Sequence, residues 1–281
     1  MKVVLFCGGA GMRLRDYSTT IPKPLVEVGP HPILWHLMKY YAHFGHKEFI
    51  LCLGHGGQAI KTYFRNFDEY LANDFVMSNG GRQIDLLHRD IEDWRITFVD
   101  TGQNATIGQR LLRVRQYLEG DAEFLANYAD GLTDLDLSSY VEYFHARGGV
   151  ASFLSIPAPH TFHVIEADPD HHVRRLVAVS SSAVRINGGF FAFKTEIFDH
   201  IRDGEDLVLE PFERLAAQRQ LLAYPFDGFW RNMDTFKDKM GLDDLWMQGK
   251  APWRVWDSTR DRGQPIVAAP QPVVARANGW P

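Results

Sequence analysis

Two short stretches near the N-terminus carry the residue types needed to hold phosphate. They are Gly8-Gly9-Ala10-Gly11-Met12-Arg13 and Ile21-Pro22-Lys23-Pro24. Glycine lets the backbone take positive φ and brings N–H groups close to an anion without an intervening Cβ. Arg13 adds a forked guanidinium donor. Lys23, between two prolines of restricted φ, adds a point charge on a stiff segment. The apolar run Val3-Val4-Leu5-Phe6 just before the glycines reads as a buried strand. A strand that empties into such a loop is a place for a polyphosphate. The glycines alone also fit a bare tight turn; the two cations shift the balance. The spacing is G-G-x-G-x-R. Leu14 stands where a dinucleotide fold needs its third glycine, and no G-K-[ST] follows.

Other residues could do chemistry, each with a plainer alternative. Asp130 precedes Gly131 and could shape a turn. Asp234 precedes Thr235 and could cap a helix. Arg110 could be an exposed helix charge. Asn187 and Gly188 could form a turn, with Glu210 a helix-end carboxylate. His171 and His172 lie in an Asp-Pro-Asp turn, and the other histidines lack zinc-ligand spacing. Cys7 and Cys52 sit in apolar surroundings and read as buried thiols, not as a disulfide or metal pair.

The elements that must position these groups follow a βαβα rhythm. Strands are expected at 3–6, 49–53, 96–100 and 124–126, and helices at 33–44, 58–67 and 111–117. This predicts a mostly parallel sheet covered by helices, with ligands at the carboxyl ends of the strands. The loops at Gly8, Gly54 and Asp130 all follow strands and can share one mouth. The second half is more mixed, with strands at 151–156 and 187–193, a helix at 210–218 and another ending near Trp246. From Asp257 onward Pro, Ala, Gly and Arg lack periodicity, so 257–281 reads as a loose tail. With 281 residues, 45% of them hydrophobic, the chain can bury a large core. A net charge of −5 and no basic stripe argue against a nucleic-acid partner. No stretch reads as a signal peptide or a membrane span, so a cytoplasmic protein is expected.

Taken together, these motifs resemble the sugar-1-phosphate nucleotidyltransferases. The resemblance runs from Met1 to about Trp256. Beyond the glycine loop and Ile21-Pro22-Lys23-Pro24 it includes Val99-Asp100-Thr101-Gly102, Asp130-Gly131, Ile186-Asn187-Gly188-Gly189-Phe190-Phe191 and Met233-Asp234-Thr235. Pro32-Ile33-Leu34-Trp35-His36 and Gly249-Lys250-Ala251-Pro252-Trp253 are similar to the cytidylyl branch. The resemblance implies a Rossmann-like, GT-A-like α/β fold with a mixed, mostly parallel sheet and an α+β sugar-binding part. It implies one domain over 1–256, with a nucleotide-binding half (1–145) and a sugar-binding half (146–256). It implies transfer of the nucleotidyl group of CTP, or another NTP, to a sugar 1-phosphate. Gly8, Gly9, Ala10, Gly11, Met12, Arg13 and Arg110 would bind the nucleotide, with Arg13 and Lys23 catalytic. Asn187, Gly188 and Glu210 would contact the sugar, and Asp130 and Asp234 would hold Mg²⁺. Relatives of this kind assemble as homo-oligomers.

Several positions depart from the family pattern. Met12 replaces a threonine, and Ala129-Asp130-Gly131 replaces Gly-Asp-Gly. Ile107-Gly108-Gln109-Arg110 replaces Thr-Gly-Gly-Arg, and Thr161-Phe162-His163 stands where Arg-Phe-Gly is expected. The Glu-Lys-Pro motif is absent, and no lysine lies between Lys61 and Lys194. Arg174, Arg175 or Arg185 could replace that cation or be solvated turn charges. Two readings follow: a transferase with an altered acceptor site, or a weakened homologue that binds nucleotide or serves a partner. A glycosyltransferase using a preformed nucleotide sugar is disfavoured by the Gly8–Arg13 loop.

Overall fold

A computed structural model describes residues 1–9, 21–158, 163–179 and 182–259. Ala10, Gly11, Met12 and Arg13 lie outside the described residues, as do Thr161, Phe162 and 260–281. The centre is a seven-stranded sheet. Its strands are β1 (Val3–Phe6), β2 (Glu48–Leu53), β3 (Arg95–Asp100), β4 (Glu123–Asn127), β5 (Ala151–Pro157), β6 (Arg185–Lys194) and β7 (Leu221–Pro225). In space they run 3-2-1-4-6-5-7. Neighbours are parallel except β6, which is antiparallel to both β4 and β5.

Parallel strands covered on both faces read as continuous apolar runs, and β1 shows why. Val3 and Leu5 point into one core and Val4 and Phe6 into the other, all at most 4% exposed. The first core is closed by α1 (Ile33–His43), α2 (Gly57–Arg65), α5 (Leu137–Arg147) and α7 (Phe236–Met247). The second is closed by α4 (Ile107–Val114) and α6 (Glu210–Ala217). A one-turn helix, α3 (Glu69–Ala72), precedes an exposed ribbon of Phe75–Ser78 and Gln83–Leu86. A second exposed ribbon joins His163–Ala167 to Val173–Ala178. Cys7 and Cys52 are buried free thiols whose pKa burial pushes up.

The expected strands of the first half match within a residue or two. Helix α5 went unread: only Leu137, Tyr140 and Phe144 of it are buried, too thin a stripe to show as periodicity. The expected boundary after Trp256 falls inside a 3₁₀ turn, Val255–Thr259, where Arg254 pairs with Asp257.

β1 and β4 are adjacent, with β2 and β3 beyond β1 on one side and β6, β5 and β7 beyond β4 on the other. Their carboxyl ends therefore flank the point where the strand order reverses, the usual ligand crevice of an open α/β sheet. One arginine frames it. Arg110 is 3% exposed, not the exposed helix charge that was one alternative. Its Nη1 donates to Leu53 O and Thr101 Oγ1, and its Nη2 to Gly8 O and Gln103 O. It thus ties together the loops after β1, β2 and β3. Two glycines make room for it: a Cβ on Gly8 would lie 2.1 Å from Nη1, and one on Gly54 2.8 Å from it.

The loop after β4 carries backbone strain. Ala129 is fully buried at φ +64, in the left-handed region that favours glycine. That conformation costs an L-residue roughly 1–2 kcal/mol. Glycine's greater backbone entropy returns part of it. Ala129→Gly should therefore raise unfolding stability by about 0.5–1 kcal/mol, read as a higher urea midpoint at unchanged slope. Arg110→Met strips donors from three carbonyls and a hydroxyl. It should cost on the order of 3 kcal/mol in the same measurement, with Arg110→Lys recovering part of the loss.

Candidate active site

Three residues distant in sequence meet at the mouth of β1 and β4. Lys23 Nζ donates to Asp130 Oδ2 at 2.6 Å and to Asp234 Oδ1 at 2.5 Å. Each arrives by a local device. The Pro22-Lys23-Pro24 segment forms a 3₁₀ turn over Lys23–Leu25, and Leu25 N donates to Pro22 O at 2.8 Å. Pro22 also packs against Gly56, which has φ +68 and space for no Cβ. Asp130 and Asp234 are brought together by backbone pairing. Gly131–Thr133 runs antiparallel to Trp230–Asn232, and Met233 N donates to Asp130 O at 2.9 Å.

The alternatives for the two aspartates can now be weighed. The cap of α7 is Thr235, whose side chain accepts from Asp238 N in a capping box. Asp234 is freed from that role: its Oδ1 faces Lys23, and its Oδ2 accepts from Asn232 Nδ2 at 2.5 Å. Asp130 sits in a turn, but its carboxylate also reaches Lys23.

The electrostatics follow from burial and proximity. Burial raises the Asp130 carboxyl above its usual range, and the nearby Asp234 adds to this; Lys23 pulls the other way without cancelling it. For Lys23, burial alone would lower the pKa, but Asp130 and Asp234 more than reverse that, and it ends above its ordinary value. The cluster keeps its lysine charged while holding one carboxyl easier to protonate than a free aspartate.

Next to this cluster lies a second group of side chains. Asn187 Oδ1 accepts from Gly189 N at 2.8 Å, and the Asn187 side chain also hydrogen-bonds Tyr128. Gly189 has φ +74, and a Cβ there would lie 2.5 Å from the Tyr128 ring. Trp230 Nε1 donates to Gly188 O at 2.8 Å. Tyr128, Trp230 and Asn232 were not singled out from sequence. The signal was present, because they neighbour Asp130 and Asp234 in the chain. Glu210 stands exposed in the first turn of α6. Gly8 and Gly9 follow β1.

The departures from the family pattern also find places. Gln109 completes a capping box with Thr106 and donates to Asp203 at 3.1 Å, so it serves the α4 terminus. Arg185 donates to Ser155 O and Oγ, Phe226 O and Asp227. It fastens β5 to the segment after β7. Arg174 and Arg175 lie on an exposed strand, not in a turn, near Asp168 and Glu166. Among the described residues no three His, Cys, Asp or Glu side chains form a metal-sized cluster, and no helix is long and apolar enough to cross a membrane.

Known proteins are similar to this chain in sequence and in fold. The nucleotidyl transferase family model matches residues 2–241. The glucose-1-phosphate cytidylyltransferase of Salmonella typhi is 37% identical over 258 residues, covering 92% of this chain and 100% of the relative. The mannose-1-phosphate guanyltransferase of Saccharomyces cerevisiae is 24% identical over 260 residues, covering 89% of this chain and 66% of the relative. Among solved structures, HddC from Yersinia pseudotuberculosis superimposes with a TM-score of 0.61 at 18% identity, over 87% of this chain and 99% of that one, a likeness of fold. The chain therefore belongs to the sugar-1-phosphate nucleotidyltransferase family, closely related to its glucose-1-phosphate cytidylyltransferases.

Proposed function

We propose that this protein joins a sugar 1-phosphate to CTP, releasing pyrophosphate and forming a CDP-sugar. The carrying observation is Lys23 Nζ held between Asp130 and Asp234 at the ligand crevice of a family fold. An oxygen of the sugar phosphate attacks the α-phosphorus of CTP. The bond from that phosphorus to the bridging oxygen breaks, and the electron pair leaves with pyrophosphate. The nucleophile needs no protein base, because a phosphomonoester has a second pKa of about 6 and is largely dianionic at neutral pH. The requirement is screening of two approaching anions and in-line alignment. Lys23 supplies one positive charge for this. The glycines after β1 and Arg13 are the expected hold on the triphosphate. Asn187, Gly188 and Glu210 are the expected sugar contacts, with Tyr128 and Trp230 holding the first two.

The two carboxylates fit Mg²⁺. Asp130 Oδ2 and Asp234 Oδ1 are hard oxygens that already converge on a single cationic atom. With only two protein ligands, phosphate oxygens and waters would complete the shell. When bound, the ion would neutralise phosphate charge. Lys23 could then turn from the carboxylates to the phosphates.

The acceptor pocket sets this chain apart. Arg185 is committed to β5 and Asp227, so it does not replace the missing lysine. A phosphate grip there would rest on Lys23 and the metal. We infer an acceptor other than, or broader than, glucose 1-phosphate.

Incubation with CTP, Mg²⁺ and a panel of sugar 1-phosphates should release pyrophosphate. Silence with every nucleotide and every sugar, alongside measurable CTP binding, would instead support the weakened homologue. Asp130→Asn and Asp234→Asn should each lower kcat/KM by about 10²–10³-fold. Lys23→Ala should lower it by about 10–100-fold through loss of a charge-assisted hydrogen bond.

The pH profile provides a further check. A raised Asp130 pKa means the carboxylate protonates at a higher pH than the ordinary 3.8. The Asp130 carboxyl of the metal-free protein should therefore titrate above that value. Lys23→Met removes the charge that lowers it and should move the Asp130 titration further toward neutral, read by carbon NMR of the aspartate carboxyls. A shift in the acid direction would contradict the arrangement.

A further inference from the structure

The ribbon of Phe75–Ser78 and Gln83–Leu86 has two chemically different faces. Successive strand residues point to opposite sides, and residues directly opposite across the pair share a side. The register pairs Phe75 with Leu86 and Met77 with Ile84, so these four apolar side chains lie on one face. Val76, Ser78, Gln83 and Asp85 lie on the other, where Gln83 Nε2 donates to Asp85 Oδ2 at 2.9 Å. The apolar face is open: Met77 is 63% exposed, Phe75 42% and Ile84 39%. The exposed Tyr70 ring extends it, meeting Phe75 edge-on at 6.2 Å.

The ribbon stands on a fixed base. Glu69 accepts from Asp90 N and Ile91 N at 2.8 Å, which closes the excursion at its foot. Lys39 of α1 pairs with Asp90 at 2.6 Å and ties that foot to the body. A lone two-stranded ribbon is at best marginally stable, and it gains from packing its apolar face. The chemistry around the face narrows the partner. Within 69–87, Glu69, Asp74 and Asp85 are acidic and Arg82 alone is basic, which disfavours an anionic lipid surface. The face itself carries no charge, so it can meet its own image without opposing like charges. At ~200 Å² for a large side chain, Tyr70, Phe75, Met77 and Ile84 leave on the order of 400 Å² open. That is roughly the 60% apolar share of a face of about 700 Å², close to the ~800 Å² per partner of a standard interface.

We propose that this face packs against the same face of a second copy of the chain, the two ribbons stacked across a two-fold axis. Such a contact uses one self-complementary patch twice. Met77 and Ile84 form the part of the contact nearest the ribbon tip, and Phe75 and Tyr70 the part nearest its foot. The contact is independent of the nucleotidyl-transfer reading, because Lys23, Asp130 and Asp234 take no part in it. Its driving force is burial of apolar surface. The net charge of −5 on each copy opposes it, and added salt screens that repulsion.

The test is sedimentation velocity of the full chain at micromolar concentration. It should run as a dimer or an even multiple of the chain, and the assembly should hold or tighten as salt rises. A Met77→Asp, Ile84→Asp variant places carboxylates against their own copies and should weaken assembly by at least about 100-fold. Unchanged amide protection of β1 and β4 in that variant shows that the fold survives. Val76→Asp, on the opposite face of the same ribbon, should leave assembly intact. A short bis-maleimide should join two copies of a Met77→Cys variant and leave the parent chain, whose two cysteines are buried, unlinked. A monomeric parent chain or an odd-numbered ring overturns the proposal. So does disruption by Val76→Asp as strong as that by the double variant, or assembly that weakens with salt. An intact assembly without the cross-link also overturns it, by assigning the ribbon to a different surface of the next copy.

Discussion

The ammonium of Lys23 between Asp130 and Asp234 is the interaction on which the rest of the molecule's purpose turns. Two carboxylates close enough to share one cation repel each other. A pair of unit charges 4 Å apart interacts by about 4 kcal/mol at the effective dielectric of a protein surface. The fold nevertheless holds them together through the Gly131–Thr133 and Trp230–Asn232 pairing and the Met233-to-Asp130 backbone bond. A cation must be present to make that arrangement tolerable. Lysine fills this need within the chain.

Arg110 shows how the same region is made rigid. A buried guanidinium with four oxygen partners fixes the ends of three strands relative to one another. Gly8 and Gly54 leave the space it needs. Gly8 therefore owes its place in part to an arginine beneath the loop. Ala129 shows the opposite case, where a side chain is kept at a left-handed position beside the Asp130 carboxylate. Strain of this kind is often found at functional sites, where the surrounding structure overrides local preference.

Legibility differed between the two halves. Strands β1 to β4 were readable because buried parallel strands are unbroken apolar runs bounded by glycine and asparagine turns. Helix α5, strand β7 and the two exposed ribbons were not. The ribbons keep Val76, Met77, Ile165 and Leu176 exposed, so the alternation of inward apolar and outward polar residues is missing. Lys23 was legible from its place between two prolines, whereas Asp130 and Asp234 each had a plain alternative, a turn and a helix cap, and the resemblance made them metal ligands. Arg13, Met12, Ala10 and Gly11 keep their place as sequence expectations.

The amino-acid sequence by itself determined the class of fold, the position of a glycine-rich loop directly after the first strand and membership in a family of nucleotidyl transfer enzymes. These rest on local properties: apolar periodicity, glycine's missing Cβ, proline's restricted φ. Only the tertiary structure decided which charges meet. It placed Arg110 under the loops, fastened Arg185 to β5, gave the α7 cap to Thr235 and turned Asp234 toward Lys23. Whether a charged side chain is a strut, a cap or a ligand depends on partners that lie far away in sequence. Electrostatic energy depends on distance in space, and separation along the chain does not encode it.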